Sequence, residues 1–245
     1  MRGIIFAGGT GQRLDPLTRI TNKHLLPIYD RPMVYYAIEQ MAGAGLDRIM
    51  IVTGGNHAGE FLRLLGNGSR FGLRHLDYAY QEKAGGIAEA LGLAEYFAGG
   101  EPVVVLLADN IFEYSITGAV ERFGADPRGA RLVLAEVDNP AAYGVAELRD
   151  GKIVRILEKP VDPPSRLVVT GVYFFDARVF EMVRTLKPSG RGELEITDVN
   201  NRYVELGDLR HEQARGYWAD CGESFDMLLR ANNLVAEHGA NKPVP

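Results

Sequence analysis

The chain has a single cysteine, Cys221, so no disulfide can form within it, and a reducing, cytoplasmic setting is expected. It has no apolar run long enough to cross a bilayer and no charged start leading into an apolar segment, so neither a membrane partner nor export is expected. Basic residues are not in excess. The 27 Lys and Arg stand against 32 Asp and Glu, and a net charge of −5 counts against a nucleic-acid partner. No His-x-x-His or paired-cysteine spacing offers a zinc site. What is left is an ordinary globular composition, 46% hydrophobic over 245 residues, enough for one large α/β domain or two small ones with a well-buried core.

What is present is concentrated at the amino end. Ile4, Ile5, Phe6 and Ala7 make a short unbroken apolar run, as expected of a strand buried on both faces of a parallel sheet. Gly8, Gly9, Thr10 and Gly11 follow directly, then Arg13 and Lys23. Glycines at a strand end let backbone N–H groups approach phosphate oxygens, and two cations nearby would neutralise them. A plain tight turn is the competing reading. Two known phosphate loops fail on the letters. The dinucleotide fingerprint G-x-G-x-x-G lacks its third glycine, with Leu14 in its place, and the Walker spacing from Gly54 to Gly59 has Glu60 where lysine belongs.

Further along, helices are expected over 32–44, 57–65 (capped by Asn56) and 115–123, alternating with strands at 49–53, 76–80, 103–108 and 131–137. That alternation predicts an α/β fold with a doubly wound sheet and ligands at the strand carboxyl ends. Gln81 leads into a loop containing Gly86, which reads either as a glycine-rich helix entry or as a base-recognition loop. Asp109, at the end of the most apolar strand, either caps the next turn or meets a cation such as Mg²⁺. Apolar runs at 145–148 and 153–157 around Asp150-Gly151 signal a hairpin that breaks the alternation, and Gly171 inside the strand 168–175 suggests a bulge. Near the carboxyl end an amphipathic helix is expected to bury Phe225, Leu228, Leu229 and Asn232.

The G-G-x-G-x-R-L run at 8–14 followed by Lys23-His24-Leu25-Leu26-Pro27 resembles the signature of the sugar-nucleotide pyrophosphorylases, a nucleotidyltransferase family. The segment from Ile28 to Tyr36 looks like the glucose-1-phosphate thymidylyltransferase branch, and later matches extend over nearly the whole chain. The resemblance implies a Rossmann-like, mixed-sheet nucleotidyltransferase fold of the glycosyltransferase-A type with a small sugar-binding β subdomain. It implies one domain over 1–245, with nucleotide bound by about 1–138 and sugar phosphate by about 139–245. It further implies Mg²⁺-dependent transfer from dTTP to glucose 1-phosphate, with UTP or another triphosphate and another sugar phosphate as the alternative pair. A non-catalytic nucleotide-sugar sensor is the alternative of a different class. By the same resemblance Arg13, Lys23 and Asp109 are catalytic, and Gly8, Gly9, Thr10, Gly11, Arg13, Gln81, Gly86 and Asp109 bind nucleotide. Asn110, Tyr143, Gly144, Glu158, Lys159, Thr170 and Gly171 bind sugar phosphate, and Asp109 with Asp220 holds the metal. The segment from Arg191 to Asp198 matches the family too and is read as scaffold at the start of a helix. Three departures stand out: His24 replaces the usual glutamine, Lys83-Ala84-Gly85 replaces Pro-Asp-Gly, and Cys221 replaces a threonine. The helical tail of longer thymidylyltransferases has no counterpart, so a monomer or dimer is expected in preference to an allosteric tetramer.

Overall fold

The computed structural model of the protein describes residues 1–9 and 11–244; Thr10, assigned above to the nucleotide, lies outside them. The chain opens with strand β1 (Arg2–Ala7), a two-residue hairpin of β2 (Pro27–Ile28) and β3 (Arg31–Pro32), and helix α1 (Met33–Gly43). Then come β4 (Arg48–Gly54), α2 (Ala58–Leu65), β5 (His75–Gln81), α3 (Ile87–Leu93), α4 (Glu95–Ala98), β6 (Val103–Leu107) and β7 (Asn110–Phe112). The second part holds α5 (Thr117–Ala125), β8 (Ala130–Glu136), β9 (Gly144–Arg149), β10 (Lys152–Glu158), β11 (Leu167–Phe175), α6 (Val179–Arg184) and α7 (Ile196–Glu205). It closes with β12 (Leu209–Gln213), β13 (Trp218–Asp220) and α8 (Phe225–His238). No helix among the described residues is long and apolar enough to cross a membrane.

The period-two geometry of a strand explains why β1 is apolar throughout. Ile4 and Phe6 face one helical layer, packing with Leu91 of α3, Val179 of α6 and Val199 of α7. Ile5 and Ala7 face the other, with Ile38 of α1, Phe61 of α2 and Phe123 of α5. Both faces are covered, so no position can be polar. The strands β5, β4, β1 and β6 run parallel in that spatial order. Strand β11 then joins β6 antiparallel, and beyond it β9 and β10 on one path and β8 and β12 on the other complete a nine-stranded mixed sheet. This is the doubly wound α/β arrangement expected. From β1 the chain winds outward to β4 and β5, then crosses back to β6, so the crevice for a ligand opens at the carboxyl ends of β1 and β6.

The expected hairpin is β9–β10, and its turn takes positive φ at both Asp150 (50°) and Gly151 (70°), the backbone that matches strand twist. The expected bulge lies between Val169 and Tyr173 of β11. Two local expectations are corrected. Asn56 does not cap α2: His57 takes the N-cap position without a side-chain cap, and its Nδ1 pairs with Glu60 Oε1 at 3.0 Å instead. The buried stripe of α8 is Leu228, Ala231 and Val235, at i, i+3 and i+7, packed with Ile28, Met33 and Cys221. Phe225 and Leu229 are 47% and 62% exposed. Ala231 lets the helix lie close to its support, and the larger side chains on either side turn outward.

Asp176 ties the end of β11 to its neighbours. Its carboxylate accepts hydrogen bonds from Gly129 N (2.7 Å), Arg178 Nε (2.8 Å) and the buried Tyr203 hydroxyl of α7 (2.8 Å). Tyr203→Phe keeps the packing and removes one charge-assisted bond, so the unfolding free energy should fall by about 1–3 kcal/mol in urea titration. Unchanged stability would mean that this bond does not contribute.

Candidate active site

The glycine turn sits at the mouth of the crevice. Gly11 takes φ 63°, and a Cβ there would lie 2.7 Å from Thr18 Cγ2, so no larger residue fits the turn. Gly8 and Gly9 line a cavity of about 270 Å³ together with Lys23, Gln81, Gly86 and Asp109. Gly86 closes the far side at φ 98°, where a Cβ would meet Leu194 O at 2.4 Å. Lys23 reaches the cavity from a short 3₁₀ turn (Lys23–Leu25) that Asn22 caps by accepting a hydrogen bond from His24 N. A larger hollow of about 610 Å³ lies elsewhere, beside α5 and β12. Its Arg122 and Glu212 are paired with each other, and it shares no lining residue with the glycine turn, so size alone does not mark the site.

The charges converge where β6 ends. Asp109 turns the chain out of β6, and β13 pairs antiparallel with β7 in a register that sets Asp220 opposite Asn110. Cys221 N donates to Asp109 O at 2.8 Å, which fixes the two acidic residues side by side. Lys23 Nζ lies 2.5 Å from Asp109 Oδ2. Burial alone would raise the Asp109 carboxyl, but Lys23, His24 and the hydrogen bonds from Lys23 and Asn110 outweigh it and hold it well below the usual carboxylate range. Burial and the charge of Asp109 push Asp220 up to about 7. Burial works against the Lys23 ammonium too, yet Asp109 and Asp220 raise it above its ordinary value, so it stays charged. Burial and the neighbouring Lys23 push His24 down to about 3, so its ring is neutral. Cys221 is buried among apolar side chains, and burial and the Asp220 charge push its thiol well up.

Among the described residues no group of three or more His, Cys, Asp or Glu side chains is placed to hold a metal ion. The residues that could hold one here are the two carboxylates of Asp109 and Asp220, and burial and its neighbour disfavour the second as an anion. Such a pair suits a hard cation that takes its remaining oxygens from phosphate and water, as Mg²⁺ does.

The residues assigned to sugar phosphate divide into two kinds. Asn110 and Thr170 are internally committed. Asn110 Oδ1 accepts from Gly171 N (2.8 Å) and Trp218 Nε1 (2.6 Å), its Nδ2 donates to Asp109, and the Thr170 hydroxyl donates to Val133 O. Gly171 is where Asn110 fits, since a Cβ there would lie 2.7 Å from its side chain. Tyr143, packed edge-on to Trp218 at 5.3 Å, Gly144, Glu158 and Lys159 gather at the facing ends of β9 and β10. Lys159 is held at φ 43°, a left-handed conformation that a lysine adopts at a cost. Glu158 accepts from Thr197 Oγ1 at 2.6 Å and from Arg191 Nη2 at 3.2 Å. Arg191 also bonds Glu195 at 2.8 Å, so the segment read as scaffold touches the candidate sugar side directly. Its signals in the sequence are the family match over 191–198 and the mixed charges of 191–195. Arg13 is exposed, and its charge bears on both Lys23 and Tyr143.

Comparison with known proteins places the sequence and the overall fold. A glucose-1-phosphate thymidylyltransferase of Actinoplanes sp. is 43% identical over 240 residues, 96% of this chain and 78% of that protein. A Bacillus anthracis structure described as a glucose-1-phosphate thymidylyltransferase, in complex with a sucrose, has a TM-score of 0.91 at 48% identity, covering 96% of this chain and 94% of its own. A UDP-glucose pyrophosphorylase complexed with UDP-glucose has a TM-score of 0.82 at 27% identity, covering 97% of this chain and 99% of its own. The family model described as nucleotidyl transferase matches residues 2–238, so the chain belongs to the nucleotidyl transferase family.

Proposed function

We propose that the protein transfers a thymidylyl group from dTTP to glucose 1-phosphate, forming dTDP-glucose and pyrophosphate. The observation that carries the reading is the meeting of Asp109 and Asp220 beside the glycine turn. An oxygen of the sugar phosphate attacks the α-phosphorus, a new P–O bond forms, and the bond to the β-phosphate breaks with pyrophosphate leaving in line. Such chemistry asks for alignment and charge neutralisation and needs no nucleophile from the protein. Asp109 and Asp220 would hold Mg²⁺, which when bound supplies positive charge to the α-phosphate oxygens. Lys23, part-buried and charged, steadies the nucleotide phosphates. Arg13 offsets charge on departing pyrophosphate, and Gln81 and Gly86 meet the base. Lys159 grips the sugar phosphate, Glu158 accepts from sugar hydroxyls, and Tyr143 and Gly144 border them.

UTP is the second reading, because Gln81 offers the base only groups that thymine and uracil satisfy equally, and one structural relative binds UDP-glucose. Pyrophosphate release with dTTP, UTP, ATP and GTP, each with several hexose 1-phosphates, separates the two. The largest kcat/KM is expected for dTTP with glucose 1-phosphate, lost on chelation of divalent metal. Release from none of the pairs overturns the reading.

Arg13→Ala should lower turnover by roughly 10²–10³, as for loss of one charge-stabilising donor, with pyrophosphate release as the readout. Unchanged turnover would remove Arg13 from the mechanism. The acidic pair predicts a pH dependence. Its Asp220 pKa is about 7 folded against an ordinary 3.8, so the metal-free folded protein holds the extra proton between these values and loses stability as pH rises through them. A cation bound there favours the deprotonated form. Stabilisation by Mg²⁺, read as the rise in Tm, should therefore increase from about pH 6 to about pH 8, and Asp220→Asn should flatten it. A rise independent of pH in the unmodified protein would contradict the assignment.

A further inference from the structure

Gln81 is not free to turn its amide. At the end of β5 its Nε2 donates to Gly86 O at 3.2 Å and to Glu89 Oε1 at 3.1 Å. Both partners are pure acceptors, so only the NH₂ side of the amide can face them. The carbonyl Oε1 is left on the opposite side, toward the glycine turn, where a Cβ on Gly8 would lie 3.4 Å from it. Gln81 and Gly8 both line the cavity between the turn and β5.

Glu89 stands on the first turn of α3, where a carboxylate often caps backbone N–H groups. Here its side chain reaches back across the loop instead. Its carboxylate lies directly over Gly85, where a Cβ would fall 1.7 Å from Oε2, so the carboxylate keeps its place only because residue 85 has no side chain. A flipped Gln81 would set its Oε1 against Gly86 O and the Glu89 carboxylate at once, bringing unpaired acceptors together in a half-buried place.

We infer that Glu89 is a specificity-determining positioning residue: it locks the Gln81 amide with its carbonyl oxygen toward the nucleotide, selecting a base that presents a ring N–H donor. Thymine and uracil present that donor at N3, whereas cytosine presents a ring-nitrogen acceptor that the Gln81 carbonyl repels. The inference rests on the reading that Gln81 meets the base, and it deepens that reading by naming what sets the amide's direction.

The test compares kcat and KM for dTTP and dCTP, with glucose 1-phosphate, in the unmodified protein, Glu89→Ala, Glu89→Gln and Gln81→Ala. Glu89 is part-exposed on a helix that alanine favours, so the alanine variant folds. In Glu89→Ala the kcat/KM preference for dTTP over dCTP should shrink roughly tenfold, mainly through KM, because the base lies away from the reacting phosphorus. Glu89→Gln retains an acceptor for Gln81 Nε2 and should keep the preference within about twofold. If Gln81→Ala shrinks the preference and Glu89→Ala does not, the role of Glu89 is overturned while Gln81 remains the base reader. If Gln81→Ala leaves the preference unmoved, the base reading fails and the inference with it.

Discussion

Two carboxylates and one ammonium, largely withdrawn from solvent, are gathered where β6 ends, and this imbalance of charge is the constraint on which the site depends. Like charges in a low-dielectric place can be relieved by separation, by protonation or by a further cation. The β7–β13 register and the bond from Cys221 N to Asp109 O forbid separation. Lys23 settles Asp109 but reaches only one of the two oxygen pairs, which leaves Asp220 raised. Asp220 thus keeps an uncompensated demand for positive charge.

The same corner is braced by an amide side chain. Asn110 joins Asp109 to the bulge of β11 and to Trp218 of β13, and Trp218 packs on Tyr143 at the sugar side. The bulge exists because Gly171 must yield space and its N–H to that amide. The end of β6 and the facing ends of β9 and β10 therefore share one brace, and a shift in either would be felt in the other. The segment 85–88 is tied in the same way to 194, through Leu194 N to Gly85 O and Ala88 N to Leu194 O.

Much of the fold was legible because two-sided burial forces continuous apolar strands, as in 4–7, and because Asp150-Gly151 can take the positive φ values of a tight hairpin turn. The stripe of α8 was legible only at Leu228. Phe225 and Leu229 outrank Ala231 in hydrophobicity, but how closely the helix can approach its support decided which face turned inward. At α2 the sequence offered Asn56 as a cap, and a His57–Glu60 contact won locally. In the site, the glycine turn and its cations could be read from adjacent letters. The neighbouring of Asp109 and Asp220 came only from family resemblance, since nothing local joins residues so far apart. The partners of Glu158, and the tie between Gln81 and Glu89, depend on side-chain directions that strand and helix patterns do not encode.

The groups that a covalent mechanism would need are present and disarmed. Cys221 sits beside Asp220, but burial and that carboxylate hold it as a thiol, and the thiolate is the reactive form. His24 lies 3.9 Å from Asp109, yet burial and Lys23 leave it neutral and weakly basic. Arg13, by contrast, is exposed at the mouth of the crevice, and Lys159 is held in an unfavourable backbone conformation at the end of β10. The protein thus silences Cys221 and His24, while Arg13 and Lys159 keep their fixed charges in place. That distribution suits direct transfer between two phosphate groups, in which the attacking oxygen comes from the second substrate.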